Sequence, residues 1–130
     1  MLRELEPALA AVPSSSTNVV THRLDSTWSP KCPDNPGGKA GWSAVLVDAT
    51  FTSTQTARQI SSSVGAALTR AGWTRHDETF GPEQGPVAHW TKRLRSGVGA
   101  SAAVYPVPAG SSHWALTASA QPPGYALPGC

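Results

Sequence analysis

The sequence has 130 residues, a length typical of one domain with a modest hydrophobic core. Charged residues make up 14% of the chain, against about 25% in an average soluble domain, and Ser, Thr, Ala, Gly and Pro replace them. A net charge of +2 with scattered basic residues excludes the strongly basic surface of a typical nucleic-acid-binding protein. This composition favours a domain that works outside the cytoplasm.

The first residues, 1–17, are predicted to be a lead-in and linker ahead of a single domain that spans 18–130. Leucines at helical spacing predict a short helical turn, which Pro7 either frays or restarts, because proline is tolerated only in a first turn. The polar run 14–18 is typical of a linker. The apolar residues of 19–24 then predict a short strand at a sheet edge.

The two cysteines, Cys32 and Cys130, lie far apart in the sequence. Neither belongs to a CxxC pair or has a histidine at zinc-ligand spacing, so a zinc site is not indicated. Cys32 lies in the Pro- and Gly-rich stretch 29–41, which must be irregular. The simplest interpretation is one disulfide that ties the tail to this loop, and such a bond requires an oxidising compartment. Two unrelated free thiols are the alternative.

The longest strand pattern lies at 42–52 and leads directly into the strongest helix pattern of the chain. Alternate residues of a strand point to the same face, so Val45, Val47, Ala49 and Phe51 share one side. This apolar side is expected to pack against the helix.

The helix is predicted to begin near Ser53 or Thr54, or alternatively at Thr56, which has Gln59 at capping-box spacing. Gly72 is predicted to follow its last turn, because glycine readily adopts the left-handed conformation needed there. The apolar residues between these ends recur at helical spacing and form one stripe. This stripe consists of Ala57, Ile60, Val64, Ala67, Leu68 and Ala71.

Four strand patterns follow the helix, at 73–80, 87–94, 98–105 and 113–120. A run of strands after a helix is typical of an α+β fold with an antiparallel sheet. We therefore predict a sheet of about four to five strands in β-α-β-β-β order, with one long helix packed on one face. Small residues on the last two strands are expected to let the helix approach closely, namely Ala100, Ala102, Ala118 and Ala120.

No residue pattern indicates catalysis. His22, His76, His89 and His113 lack metal-ligand spacing, and no GxSxG nucleophile elbow occurs. Asp48 is the acidic residue of greatest interest, because it lies among apolar residues. It either faces solvent on the uncovered side of the sheet or is buried with a partner. We therefore expect no catalytic residue, no metal site and no cofactor.

The uncovered face of the sheet is the candidate binding surface. Antiparallel sheets often leave one face in water, and such a face either binds a partner or is simply solvated. The residues predicted on this face are His89, Thr91, Arg93, Ser101 and Tyr105.

Three segments together resemble the extracytoplasmic domains of small actinobacterial membrane-anchored proteins and lipoproteins. They are the lead-in 2–9 before Pro13 and its Ser/Thr linker, the helix end Ala-Gly-Trp at 71–73, and the tail from 114–124 to Cys130. The resemblance implies a location outside the cytoplasm and no particular reaction. The β-α-β-β-β order is also similar to that of cystatins, but their QxVxG loop is absent, so protease inhibition is not implied.

These observations predict a non-catalytic, extracytoplasmic cell-envelope domain that binds a protein or another envelope component, and no nucleic acid. The first alternative is a module that holds a small apolar or lipid molecule between helix and sheet. A small hydrolase with a site assembled from distant residues has less support. No apolar run reaches the ~20 residues of a membrane span. Membrane attachment is therefore expected only through an anchor outside this sequence.

The predicted disulfide is tested by intact mass after alkylation. If Cys32 and Cys130 are joined, the protein takes up two labels only when it is reduced before alkylation. Equal labelling with and without reductant would show two free thiols.

Overall fold

The computed structural model describes residues 1–31, 38–79 and 86–126, without the side chains of 77–79 and 86–87. The helices are α1 (Leu2–Leu5), a 3-10 helix (Glu6–Ala11) and α2 (Ala57–Arg70). The strands are β1 (Thr17–Leu24), β2 (Trp28–Ser29), β3 (Gly41–Trp42), β4 (Val45–Thr52), β5 (Thr74–Thr79), β6 (Pro86–Arg93), β7 (Gly99–Pro106) and β8 (His113–Ala120).

Six of the strands form one sheet in the order β1-β4-β8-β7-β6-β5, and all neighbours are antiparallel. The last four strands follow each other as a meander that begins at the far edge and ends beside β4. Helix α2 carries the chain from β4 to that far edge. Strands β2 and β3 form a separate two-stranded ribbon.

The helices cover one face of this sheet, and the predicted core face of β4 is confirmed. Val45, Val47, Ala49 and Phe51 are at most 2% exposed. The two strands beyond β4 contribute small side chains to the same buried layer, as their alternation predicted. These are Ala100 and Ala102 of β7 and Ala118 and Ala120 of β8.

Helix α2 begins at the alternative start, and the start near Ser53 or Thr54 was wrong. Thr56 is the N-cap: its hydroxyl accepts from the Gln59 backbone, and the Gln59 side chain accepts from the Thr56 backbone. This reciprocal pair satisfies two amides that would otherwise lack partners. At the other end Gly72 has a φ of 93°, which confirms its predicted position after the last turn.

The buried stripe of α2 differs from the prediction at its ends. Ile60, Val64 and Leu68 are buried, whereas Ala57 is exposed. Gly65 joins the stripe, because a Cβ there would lie 3.2 Å from Cζ2 of Trp90. The helix backbone therefore rests directly on the largest fully buried side chain of the sheet.

The N-terminal helical residues share the same layer. Leu5, Ala8 and Ala11 are buried in the main core, where α1 and the 3-10 helix lie between α2 and β4. The Glu4 carboxylate accepts a 2.9 Å hydrogen bond from the backbone of Arg95 in the β6–β7 turn. Part of the predicted lead-in thus contributes to the core.

The prediction of a mainly antiparallel sheet with helices on one face is confirmed, but its counts were wrong. Over the described residues the main sheet has six strands and not four to five, because β1 at one edge and all four strands after α2 belong to it. The helical layer is two short helices and a 3-10 segment instead of one long helix. Within the described residues, no helix has the length and apolarity needed to cross a lipid bilayer.

Strands β1 and β4 continue into the ribbon as one bent hairpin. Ser43 stabilises the bend with two hydrogen bonds. Its backbone N–H donates to the carbonyl of Thr27, and its own carbonyl accepts from the Ser26 hydroxyl. The tail runs alongside, where Trp42 exchanges backbone hydrogen bonds with Gly124 and Ala126. The predicted disulfide lies outside the described residues, because neither cysteine is among them.

Replacing Leu5 tests whether the N-terminal segment is part of the cooperative core. Leu5 is fully buried, so Leu5→Ala should lower the free energy of unfolding by about 2–5 kcal/mol. The matched control is Leu24→Ala, which changes a leucine that is 57% exposed and should cost less than about 0.5 kcal/mol. Urea denaturation measures both, and equal small effects would mean that residues 1–11 are not docked.

Candidate binding surface

The face of the sheet opposite the helices, here called the open face, is not covered by any described element. Residues that pair across antiparallel strands point to the same side, so the register identifies its members. Thr91 pairs with Ser101, which pairs with Ser119, and His89 pairs with Ala103. The structure therefore brings the predicted binding residues together on one face; their role in binding stays a prediction. They are His89, Thr91, Arg93, Ser101 and Tyr105.

Two adjacent strands in the middle of the open face carry small side chains along most of their length, up to Tyr105 on β7 and His113 on β8. We call this strip the trough. Its floor is two strands wide, and the strands beside it, β6 and β4, present longer side chains. The floor consists of Gly99, Ser101 and Ala103 from β7 and Ala115, Thr117 and Ser119 from β8.

The width of the trough follows from strand spacing. Its walls stand on β6 and β4, which are three strand spacings or about 14 Å apart. His89 and Thr91 form one wall, and Leu46, Asp48 and Thr50 form the other. At the end nearest Gln121 the trough deepens into a depression of about 350 Å³. Its lining residues are Thr91, Gly99, Ala100, Ser101, Ser119, Ala120 and Gln121.

Asp48 has a partner that the sequence did not reveal. Its Oδ1 lies 2.9 Å from Nδ1 of His22, which is directly opposite on β1. The same contact forms the acid–base arm of a Ser-His-Asp triad. Among the described residues, however, no hydroxyl is hydrogen-bonded to His22, and the two side chains are 68% and 28% exposed. The arrangement is a histidine–carboxylate contact at the surface without a nucleophile beside it among the described residues.

A second pair of polar side chains lies at the opposite wall of the trough. His76 and His89 face each other on β5 and β6 with ring centroids 5.2 Å apart, and Nε2 of His76 lies 2.8 Å from the Thr91 hydroxyl. Two histidines alone do not complete a metal site. In the described part of the chain, no three His, Cys, Asp or Glu side chains are placed to share a metal ion.

Both of these pairs depend on which strands are neighbours. His22 and Asp48 are 26 residues apart, and only the β1–β4 register makes them opposite. A count back from the hairpin bend could have suggested the pairing, but the irregular loop at 29–41 hides where the hairpin turns. The sequence prediction also missed the pairing of Trp28 with Trp42, for the same reason.

Comparisons with protein-family models, with curated proteins and with solved structures found no match to this chain.

A double-mutant cycle on His22→Ala and Asp48→Ala measures how much the contact between these two side chains contributes to stability. Because both groups are partly solvated, their coupling free energy should be about 0.2–1 kcal/mol at neutral pH and low salt. Urea denaturation of the two single variants and the double variant gives this value. A coupling of several kcal/mol would instead indicate a desolvated, functionally poised dyad.

Proposed function

We propose that this chain is a non-catalytic, extracytoplasmic cell-envelope domain that binds a protein partner by accepting one of the partner's helices in the trough. The observation that carries the proposal is the strip of small side chains on β7 and β8 between two walls. Ser101 is exposed, Ala103, Thr117 and Ser119 are partly exposed, and Ala115 is buried. The low charge of the chain and its predicted disulfide support a place outside the cytoplasm.

The covered face of the same two strands supports a helix as the occupant. There the sheet also presents alanines, and they belong to the same buried core as the residues of the chain's own helices. An α-helix with its side chains is about 10–12 Å across, and the axes of the two strands that carry the walls are about 14 Å apart. A helix can therefore lie along the strip with its flanking side chains between those of the walls. A single extended strand would leave much of this width empty.

The chemistry of the trough describes the helix that it fits. Ala103 offers a close apolar contact at its centre, beside Thr117, so the facing residues of the partner should be small. Ser101, Thr117 and Ser119 supply hydroxyls that can donate or accept. The polar walls hold His89 on one side and the His22–Asp48 pair on the other. A helix with a small-residue stripe and polar flanks satisfies all of these groups.

The two alternative functions have weaker support. A ligand held between helix and sheet requires space there, but Gly65 brings the α2 backbone against Trp90. A hydrolase requires a nucleophile, and the His22–Asp48 pair has none among the described residues. The proposal involves no cofactor and no nucleic acid.

Site-specific photo-crosslinking in the native host tests the proposed contact. A photoreactive residue at Ser101, on the trough floor, should crosslink to one discrete protein. The same residue at Ser63, on the exposed side of α2, is the matched control and should give no such product. Peptide mapping of the product should locate the crosslink in a helix of the partner.

Blocking the trough should abolish that crosslink. Ala103→Arg places a long cation on the floor, whereas Ala66→Arg places the same side chain on the solvent side of α2. Urea denaturation should first show that both variants are folded. Of the two, only Ala103→Arg should then lose the crosslinked product. Equal crosslinking from Ser101 and Ser63 would contradict the proposal. So would hydrolytic turnover by the purified protein that a single substitution at His22 abolishes.

A further inference from the structure

The five tryptophans of the chain fall into two groups. Trp73, Trp90 and Trp114 are core residues and at most 6% exposed. Trp28 and Trp42 are 54% and 40% exposed. A large aromatic ring left half in water forgoes much of the free energy that its burial would contribute, so two such rings side by side indicate a contact surface.

The two exposed rings occupy one rung of the β2–β3 ribbon. Trp28 pairs with Trp42, and their ring centroids are 5.5 Å apart in an edge-to-face arrangement. The ribbon lies beyond the bend of the long hairpin and is not part of the main sheet. The pair therefore sits on a separate projection of the fold.

The tail holds this projection in place. Trp42 bridges to Tyr125, and Gly41 is buried so closely against the tail that a Cβ there would overlap Ala126. The strand that carries Trp42 is thus paired with β2 on one side and with the tail on the other. Such preorganisation lowers the ordering cost of inserting the rings into another phase.

Two lysines flank the ribbon on the side away from the main sheet, whereas the nearby carboxylate Asp25 lies at the bend and accepts from the backbone of Ser26. Lys31 and Lys39 are exposed and follow or precede the two ribbon strands by a few residues. The described residues of the ribbon and its flanks, 28–31 and 38–42, include no carboxylate. Asp34, which lies between the lysines in sequence, is outside the described residues. Aromatic rings with flanking lysines are the chemistry that meets the headgroup region of an anionic bilayer.

We infer that the ribbon is a peripheral contact site for an anionic lipid surface. Trp28 and Trp42 enter the interface between headgroups and acyl chains, where indole rings are enriched. Lys31 and Lys39 stay at the level of the lipid phosphates. The inference does not depend on the trough, which lies on the main sheet.

Vesicle co-sedimentation of the purified chain tests this inference. The protein should bind vesicles of phosphatidylcholine that contain phosphatidylglycerol, and bind vesicles of phosphatidylcholine alone much more weakly. Binding should weaken with added salt, because the screening length falls from about 10 Å at 0.1 M to about 3 Å at 1 M. The emission of the exposed tryptophans should shift to the blue on binding.

Substitutions then assign the contact to the ribbon. Replacing both exposed rings, with Trp28→Ala and Trp42→Ala, should reduce the affinity by about tenfold or more, which is about 1.4 kcal/mol. Lys31→Glu with Lys39→Glu should remove the preference for anionic vesicles. The control is Val19→Ala with Val107→Ala, which truncates two side chains of 46% and 49% exposure elsewhere and should leave binding unchanged.

Several results would overturn the inference. They are no vesicle binding by the wild-type chain, binding that the ribbon variants leave unchanged, and equal binding to neutral and anionic vesicles. Loss of a protein crosslink in the tryptophan variant, without any vesicle binding, would assign the ribbon to a protein partner instead. Because Ala103→Arg should leave vesicle binding intact, failure here and failure of the trough proposal are distinguishable.

Discussion

The close contact between helix α2 and Trp90 of β6 is the constraint on which the fold depends. Alanines on the covered side of β7 and β8 keep the sheet surface low, and Gly65 removes the side chain that would hold α2 away from Trp90. Larger residues such as Leu68 and Leu116 then fill the space around this contact. Protein interiors are close-packed, so a larger side chain at Gly65 would force α2, Trp90 or both to move.

Sheet width explains why one helix is not enough. Six strands span about 24 Å, whereas a helix with its side chains is only about 10–12 Å across. Helix α2 lies nearest β5 and β6, so the part of the sheet near β4 would be left in water without a second element. The N-terminal segment fills that place with Leu5, Ala8 and Ala11. Its leucine spacing predicted the helical turn, but no local pattern could indicate that this turn docks on a strand far along the chain.

The parts of the fold predicted from the sequence are those that local chemistry determines. Strand faces follow from alternation, the alternative start of α2 from the Thr56–Gln59 box, and its end from Gly72. Strand order does not follow in this way, because any of several edges could have accepted β4. The register that makes His22 and Asp48 neighbours depends on that order. The residues of the open face were therefore predictable from alternation along each strand. The trough walls and the pairs His22–Asp48 and His76–His89 were not, because they depend on which strands are neighbours.

We propose that a partner's helix covers the trough when the protein is in the native cell envelope. The small side chains of the trough leave room for another element, and the distance between the strands that carry its walls suits a helix. The most direct test compares thiol labelling of Ser101→Cys in purified protein and in intact envelopes of the native host, with Ser63→Cys as the reference and the wild-type chain as the background. We expect labelling of the Ser101→Cys variant to be several-fold slower in envelopes than in purified protein, whereas labelling of the Ser63→Cys variant should not slow. Equal rates at Ser101 in both settings would contradict it.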